Sequence, residues 1–375
     1  MAGEMPSQSA FNTPYNRGGK ATLSILDVDG YGDIRVKDYG VDRAWEQFDV
    51  FRAEHNKITA SMFDHLLQGV TEDRLRRFGD VDTLTMERVE MEYGAPSVKT
   101  ASMQPYEVGL PIFKLGVNQQ WTKDAISLMS VGQFNKQLVA VLTADIRAMR
   151  TELGKALFRN TNYEFRDRYS SDGRILPVRA LVNADTLPIP VGPMATTFDG
   201  STHSHYGTAA AVNDASVKAL VNNVMEHTTT GVPVIEVNIA QEAEMRALTG
   251  FTAAQDPRLM LGVNITHIQD KLDLWNPNDR FIGIIDSGAE VWVRPYIPAN
   301  YLLCYVRGGE LEKPLTQRRH MLHSSDLEVK ESMTLHPSLQ AREISRVTGF
   351  GVTGRTSAAI LQKTGGSYAI PSIYA

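Results

Sequence analysis

One stretch limits what this chain can fold into more than any other. Ser130-Val131-Gly132-Gln133 has the form of a capping box, serine at the N-cap and glutamine three places on. Apolar residues then recur at Phe134, Leu138, Leu142, Ile146, Met149, Leu153 and Leu157, in steps of four, four, four, three, four and four. That spacing holds them on one helical face. The opposite face carries Lys136, Asp145, Arg147, Glu152, Lys155 and Arg159. The pattern predicts a helix over 131–160, about 45 Å long where three turns are usual. A coiled coil is the competing reading. Its heptads would last about three and a half repeats at best, and the flanks are β-rich.

Upstream of the helix, Leu84-Thr85-Met86-Glu87-Arg88-Val89-Glu90-Met91-Glu92-Tyr93 alternates in polarity, with a phase slip that suggests a bulge. Gly94 and Pro96 end the run, and a polar tip spans Ser97 to Gln104. Tyr106-Glu107-Val108-Gly109-Leu110-Pro111-Ile112 alternates again, and Phe113, Leu115 and Val117 continue on the shifted phase. This predicts a long β-hairpin with a wide tip, each arm reaching roughly 33 Å. Two strands cannot bury both of their faces. The apolar residues of the hairpin therefore need a partner surface, in the subunit or on a neighbouring copy.

The remaining elements are shorter. Residues 43–79 carry helical spacing at Trp45, Phe48, Phe51, Ile58, Met62, Leu66 and Leu67. Arg174 to Val178 and Leu187 to Val191 read as edge strands or loops, because proline is excluded from central strands. Asn213 or Asp214 caps a helix whose stripe is Val217, Leu220, Val221, Val224 and Met225. A strand over Val234–Ile239 and a short helix over Gln241–Leu248 follow. Phe281–Ile285 and Glu290–Arg294 flank Asp286-Ser287-Gly288-Ala289 as a hairpin, and Tyr301–Val306 is a third strand. Residues 213–306 thus read as an α/β unit with its own core. A strand over Leu327–Leu335 and a last pair, Ile344–Val352 and Ser357–Gln362, close the chain.

Composition excludes several classes of function. The chain has 375 residues, 42% apolar and 22% charged, with a net charge of −5 and no basic stripe. A nucleic-acid binder needs clustered Lys and Arg. The one cysteine, Cys304, sits in an apolar run and reads as a small buried hydrophobe. Residues 1–20 are polar, without the apolar core of a signal peptide. No run is long and apolar enough to span a membrane.

Motifs that carry chemistry fail their tests. Asp27-Val28-Asp29-Gly30-Tyr31-Gly32-Asp33 lacks the closing glutamate of a calcium loop and reads as a turn. His203-Ser204-His205 could hold two corners of a metal site, with Asp199 nearby, but no third convergent ligand is visible. A solvated loop is the favoured reading. Gly349-Phe350-Gly351-Val352-Thr353-Gly354 matches the dinucleotide glycine pattern, yet no acid follows it to bind a ribose. The glycines read as a bulge or tight turn. No catalytic, cofactor-binding or metal residue is assigned.

The order of parts resembles the major capsid protein of tailed bacteriophages, the HK97-type fold. Two stretches carry the likeness. Gly283 to Leu303 is similar to the segment where such proteins place a glycine-bearing hairpin, a β-run and a proline turn into a strand. Arg346 to Gln362 is similar to their closing strands, with an aromatic-glycine pair before an arginine. The resemblance implies an α+β fold with residues 1–42 as an N-terminal arm, 43–80 as a helical segment and 81–125 as an extended loop. It implies a peripheral domain over 126–212 around the spine helix, an axial domain over 213–312 and a C-terminal return to the peripheral domain over 313–375. The implied role is a non-enzymatic shell subunit that forms pentamers and hexamers around double-stranded DNA, in a virion assembled in the host cytoplasm. Portal and scaffolding proteins, and in some relatives a decoration protein, are the implied partners. Some relatives cross-link a lysine of the extended loop; Lys99, Lys114 and Lys123 stand in that region, unmarked by any pattern, and no cross-link is expected. An encapsulin-like compartment of the same fold and an unrelated α/β enzyme are the other readings.

Overall fold

The computed structural model describes residues 34–78, 105–170, 172–190, 192–193, 198–254, 279–332 and 338–375. Most of the expected N-terminal arm, the expected strand over Leu84–Tyr93, the polar tip with Lys99 and the turn-rich Asp27–Asp33 lie outside the described residues.

The chain begins with α1 (Val36–Tyr39) and α2 (Val41–Ser61), then β1 (Leu67–Thr71) and β2 (Leu75–Phe78). The helical segment expected over 43–80 therefore stops at Ser61. Leu67-Gln68-Gly69-Val70-Thr71 instead pairs in parallel with a distant strand, and that pairing outweighs the helical spacing of Leu66 and Leu67. Next come β3 (Tyr106–Gly109), β4 (Phe113–Thr122), α3 (Lys123–Leu128) and α4 (Val131–Phe158). The expected hairpin arm is thus two strands. Pro111 interrupts it, having no N–H to give to a ladder. β3 pairs with β2 over Leu75–Phe78, and β4 turns away to another sheet.

β5 (Tyr163–Arg166) and β6 (Ile175–Val178) form a small hairpin, and β7 (Tyr206–Ala209) follows. Leu187 to Pro190 form no strand, because Pro188 and Pro190 each remove a donor. α5 (Asp214–Met225), β8 (Val232–Val237), α6 (Glu242–Arg246), β9 (Thr252–Ala253), β10 (Arg280–Ile284), β11 (Glu290–Val293) and β12 (Tyr301–Arg307) come next. The chain ends with β13 (Leu315–Arg319), β14 (Glu328–Glu331), β15 (Leu339–Val352) and β16 (Ala358–Lys363).

Two sheets organise these strands. The larger runs β7-β16-β12-β8-β11-β10-β9. The smaller is built on β15, with β4 along one edge, β13 and β14 in tandem on the other, and β1 outside β13. The expected final pair is therefore not a pair, since β15 and β16 lie in different sheets. The backbone N–H groups of Thr353 and Gly354 both donate to the Pro314 carbonyl, at 3.0 and 3.2 Å, where the chain leaves one sheet for the other. The α/β unit expected over 213–306 is also incomplete on its own, because β7 and β16 supply two of its seven strands. The chain after 313 accordingly contributes to both sheets rather than returning to one.

α4 is the joint between cores. Its capping box forms as expected, Ser130 Oγ accepting from Gln133 N and Gln133 Oε1 from Ser130 N. Phe134, Leu138, Val141 and Leu142 pack with Trp45 and Phe48 of α2. Met149, Leu153, Leu157 and Phe158 enter a second core with Phe350 of β15 and Tyr301, Leu303 and Tyr305 of β12. The alternate residues of β12, Leu302, Cys304 and Val306, face a third core under α5. A strand buried on both faces reads as a continuous apolar run, and Cys304 sits within it with its thiol pushed up to about 12 by burial.

Close packing explains the glycines near the C-terminus. A Cβ on Gly349 would stand 2.1 Å from the Pro111 carbonyl oxygen, so β15 can lie against the segment that joins β3 to β4 only with glycine there. No nucleotide loop forms, since Gly349 and Gly351 lie inside a strand.

Candidate functional site

Buried charges tie the layers together. Asp145, expected on the polar face of α4, is 7% exposed. Its Oδ2 accepts from Arg346 Nη2 of β15 at 2.6 Å and lies 2.8 Å from His55 Nε2 of α2. Arg318 of β13 donates to Asp167 at 2.6 Å and to the Leu110 carbonyl at 2.8 Å. Arg355 donates to Asp185 at 2.7 Å and to the Ala180 carbonyl at 2.9 Å. Each pair joins segments far apart in sequence, and each buried charge has a partner, as it must.

Glu236 of β8 is fully buried. It faces His65 at 3.2 Å, Arg294 at 3.2 Å and Tyr305 at 3.3 Å, and it accepts from Tyr296. Burial pushes its carboxyl up, but the His65 hydrogen bond and the His65 and Arg294 charges outweigh that and hold it below the usual range. These clusters lie between packed elements. They tie together elements that are distant in sequence.

The described surface leaves apolar side chains uncovered. Leu322 is 85% exposed and Met321 79%, both at the turn after β13, and Leu128, Ile175 and Val70 are each more than half exposed. β2 and β3 are joined in sequence by residues 79–104, which lie outside the described residues and hold part of the extended loop expected over 81–125.

The two histidines read as a solvated loop are placed differently. His205 is fully buried. Its backbone is fixed on both sides, His205 N donating to Val182 O at 2.8 Å and His205 O accepting from Ile360 N of β16 at 2.7 Å. The end of α5 delivers two more groups, the C-cap residue Glu226 and His227. His205 Nε2 lies 2.9 Å from His203 Nε2 and 3.2 Å from His227 Nε2. Glu226 Oε1 lies 3.0 Å from His203 Nε2 and 3.7 Å from His227 Nε2. The four ligand atoms fall within 4.8 Å of one another, so the group could hold a metal ion. Phe198 closes one side, its ring edge-on to both His203 and His227. Burial pushes His205 down to about 3 and His227 down to about 4, so both rings are neutral at physiological pH. Burial also raises the Glu226 carboxyl, partly offset by His203. Asp199, the acid nearest in sequence, is not part of the group. It caps Ser201 instead. Glu226 and His227 escape sequence reasoning because nothing local marks the end of α5 as a neighbour of residue 205.

No family model matches the sequence, and no curated protein matches it. Solved structures do match. A chain of Mycobacterium phage Patience superposes with a TM-score of 0.64 at 22% identity, over 86% of this chain and 92% of that one. A capsid chain of the native GTA particle gives a TM-score of 0.45 at 12% identity, over 80% and 89% of the two chains. The holo-SrpI encapsulin complex from Synechococcus elongatus PCC 7942 gives 0.42 at 14% identity, over 82% and 88%. The phage Patience chain shows the fold, because the two architectures agree over most of both lengths.

Proposed function

We propose that this chain, which has the HK97-type fold, is a major capsid protein that assembles into pentamers and hexamers of an icosahedral shell around double-stranded DNA. The observation that carries the reading is the fold shared with the phage Patience chain across nearly the whole length of both. In this reading the β15 sheet and α4 form the peripheral domain, and the seven-stranded sheet with α5 forms the axial domain around the local symmetry axes. The extended loop expected over 81–125 is laid on a neighbouring copy through the part that joins β2 to β3. The uncovered Met321, Leu322, Leu128 and Ile175 are then buried between copies, since large apolar side chains exposed on a lone subunit gain by association. The protein is structural in this account and needs no catalytic residue. Its net charge of −5 suits a wall that must not grip the packaged strand.

The test is direct. Expressed together with its neighbouring genes and imaged by electron microscopy, the chain should give hollow polyhedral shells built of five- and six-fold capsomers. Shells that enclose a protein cargo and never a genome would replace this reading with a compartment. A folded monomer that never assembles with those partners would refute both.

A further inference from the structure

We propose that His203, His205, His227 and Glu226 form a closed tetrahedral site for a zinc-class divalent ion, clasping the 198–205 loop, the end of α5 and β16 together. The inference does not depend on the chain forming shells.

The hydrogen bonds at the far side of two rings decide the matter. His205 Nδ1 is 2.7 Å from the Ala358 carbonyl oxygen, and His203 Nδ1 is 3.2 Å from the Ser201 carbonyl oxygen. A carbonyl only accepts, so each ring carries its proton on Nδ1. The lone pairs at Nε2 of both rings then face each other across 2.9 Å, with a carboxylate oxygen 3.0 Å from one of them. Electron-rich atoms do not gather this way unless a positive charge lies between them. A proton bridges one pair of atoms at a time, and here His203, His205, His227 and Glu226 meet through three contacts of 3.2 Å or less. One metal ion satisfies all of them. Backbone carbonyls that orient the imidazoles through the second nitrogen are the usual support of a metal-bound histidine.

Size and chemistry point to zinc. With Zn–N near 2.0–2.1 Å, tetrahedral ligand atoms stand ~3.3 Å apart. The two shorter Nε2 gaps of 2.9 and 3.2 Å open by a few tenths of an ångström, while the wider separations, 3.7 Å from Glu226 to His227 and none above 4.8 Å, close on the ion. Three imidazoles and one carboxylate fill four positions, leaving none for a substrate, which is the mark of a structural site. Glu226 and His227 directly follow the C-terminus of α5, where the helix dipole favours a cation. His320 and His323 form a separate pair beside Tyr169, with no third ligand from the described residues.

The experiment uses the full chain, stripped with chelator and titrated with Zn2+ or Co2+ alone. Metal content by mass spectrometry should reach one ion per chain at the site. Co2+ should give the intense visible absorption of a tetrahedral centre. His203→Gln should weaken binding by on the order of 100-fold, and Glu226→Gln should weaken it as well. Both positions are partly exposed, so these variants should still fold, as circular dichroism will show. His323→Gln should bind as the parent does. Binding unchanged by His203→Gln and Glu226→Gln, an octahedral cobalt spectrum, or no retained ion at micromolar free zinc would each overturn the proposal.

Discussion

Gly154 lies one turn before the C-terminal end of α4, where glycine costs a helix up to about 1 kcal/mol against alanine. Gly154→Ala should nevertheless destabilise the chain. A Cβ there would stand 2.2 Å from Cζ of Tyr374 and 2.3 Å from its Cε1, well inside contact distance. The Tyr374 ring is 3% exposed, tilts on Phe158 at 5.4 Å between centroids, and donates its hydroxyl to the Tyr296 carbonyl. It cannot yield without loss. Forcing a methyl into a packed site costs roughly 1–3 kcal/mol. Expelling the ring would cost about 3–5 kcal/mol, as for truncating a buried aromatic residue. Setting the propensity gain of about 1 kcal/mol against the overlap leaves a net loss of up to about 2 kcal/mol. The sign should reverse once the ring is gone. In a Tyr374→Ala background, Gly154→Ala should stabilise by about 0.5–1 kcal/mol, propensity being all that remains. Urea denaturation of the unassembled subunit, followed by tryptophan fluorescence, measures all four corners of this cycle. A stabilising Gly154→Ala in the parent, or the same sign in both backgrounds, would refute the reasoning.

Two further expectations come from buried charge. Asp145→Asn should cost about 3–5 kcal/mol by leaving the Arg346 guanidinium buried without its counter-charge, and Asp145→Asn with Arg346→Met should recover part of that loss in the same denaturation assay. Glu236 should add an acid limb to the stability profile. Its folded carboxyl is held down by His65 and Arg294, with Tyr296 and Tyr305 facing it, so its contribution is complete above the unfolded value of 4.5 and is lost as pH falls through the lower folded value. Urea midpoints measured from pH 7 to pH 3 should fall less steeply below that point in Glu236→Gln than in the parent; equal slopes would show that Glu236 does not carry the effect.

Legibility in the sequence followed the range of the interaction. α4 and α5 were readable because their caps and stripes repeat within a few residues; the Ser130–Gln133 capping box forms, and Asn213 caps α5. The β10–β11 hairpin was readable for the same reason, its turn lying between its strands. Pairing between distant strands was not. β4 has the alternation of a hairpin arm, yet it spends all ten residues on β15, more than two hundred positions away. Alternation reports that a strand has two faces and says nothing about which edge it joins. Asp145 looked like a solvated charge because its helical face is polar, and only the arrival of β15 buries it.

The histidine group makes the division plain. The sequence alone determined that His203 and His205 stand two apart in a polar stretch, and that α5 ends near residue 226. It also determined the long helix, its cap and the failure of the glycine motif to meet a ribose-binding acid. Only the tertiary structure decided that β7 lies beside β16 and that the end of α5 faces it. Ligand sets are properties of points in space, whereas periodicity is a property of neighbours along the chain. A site assembled from a loop, a helix end and a sheet edge therefore leaves no trace in spacing until the sheet has closed around it.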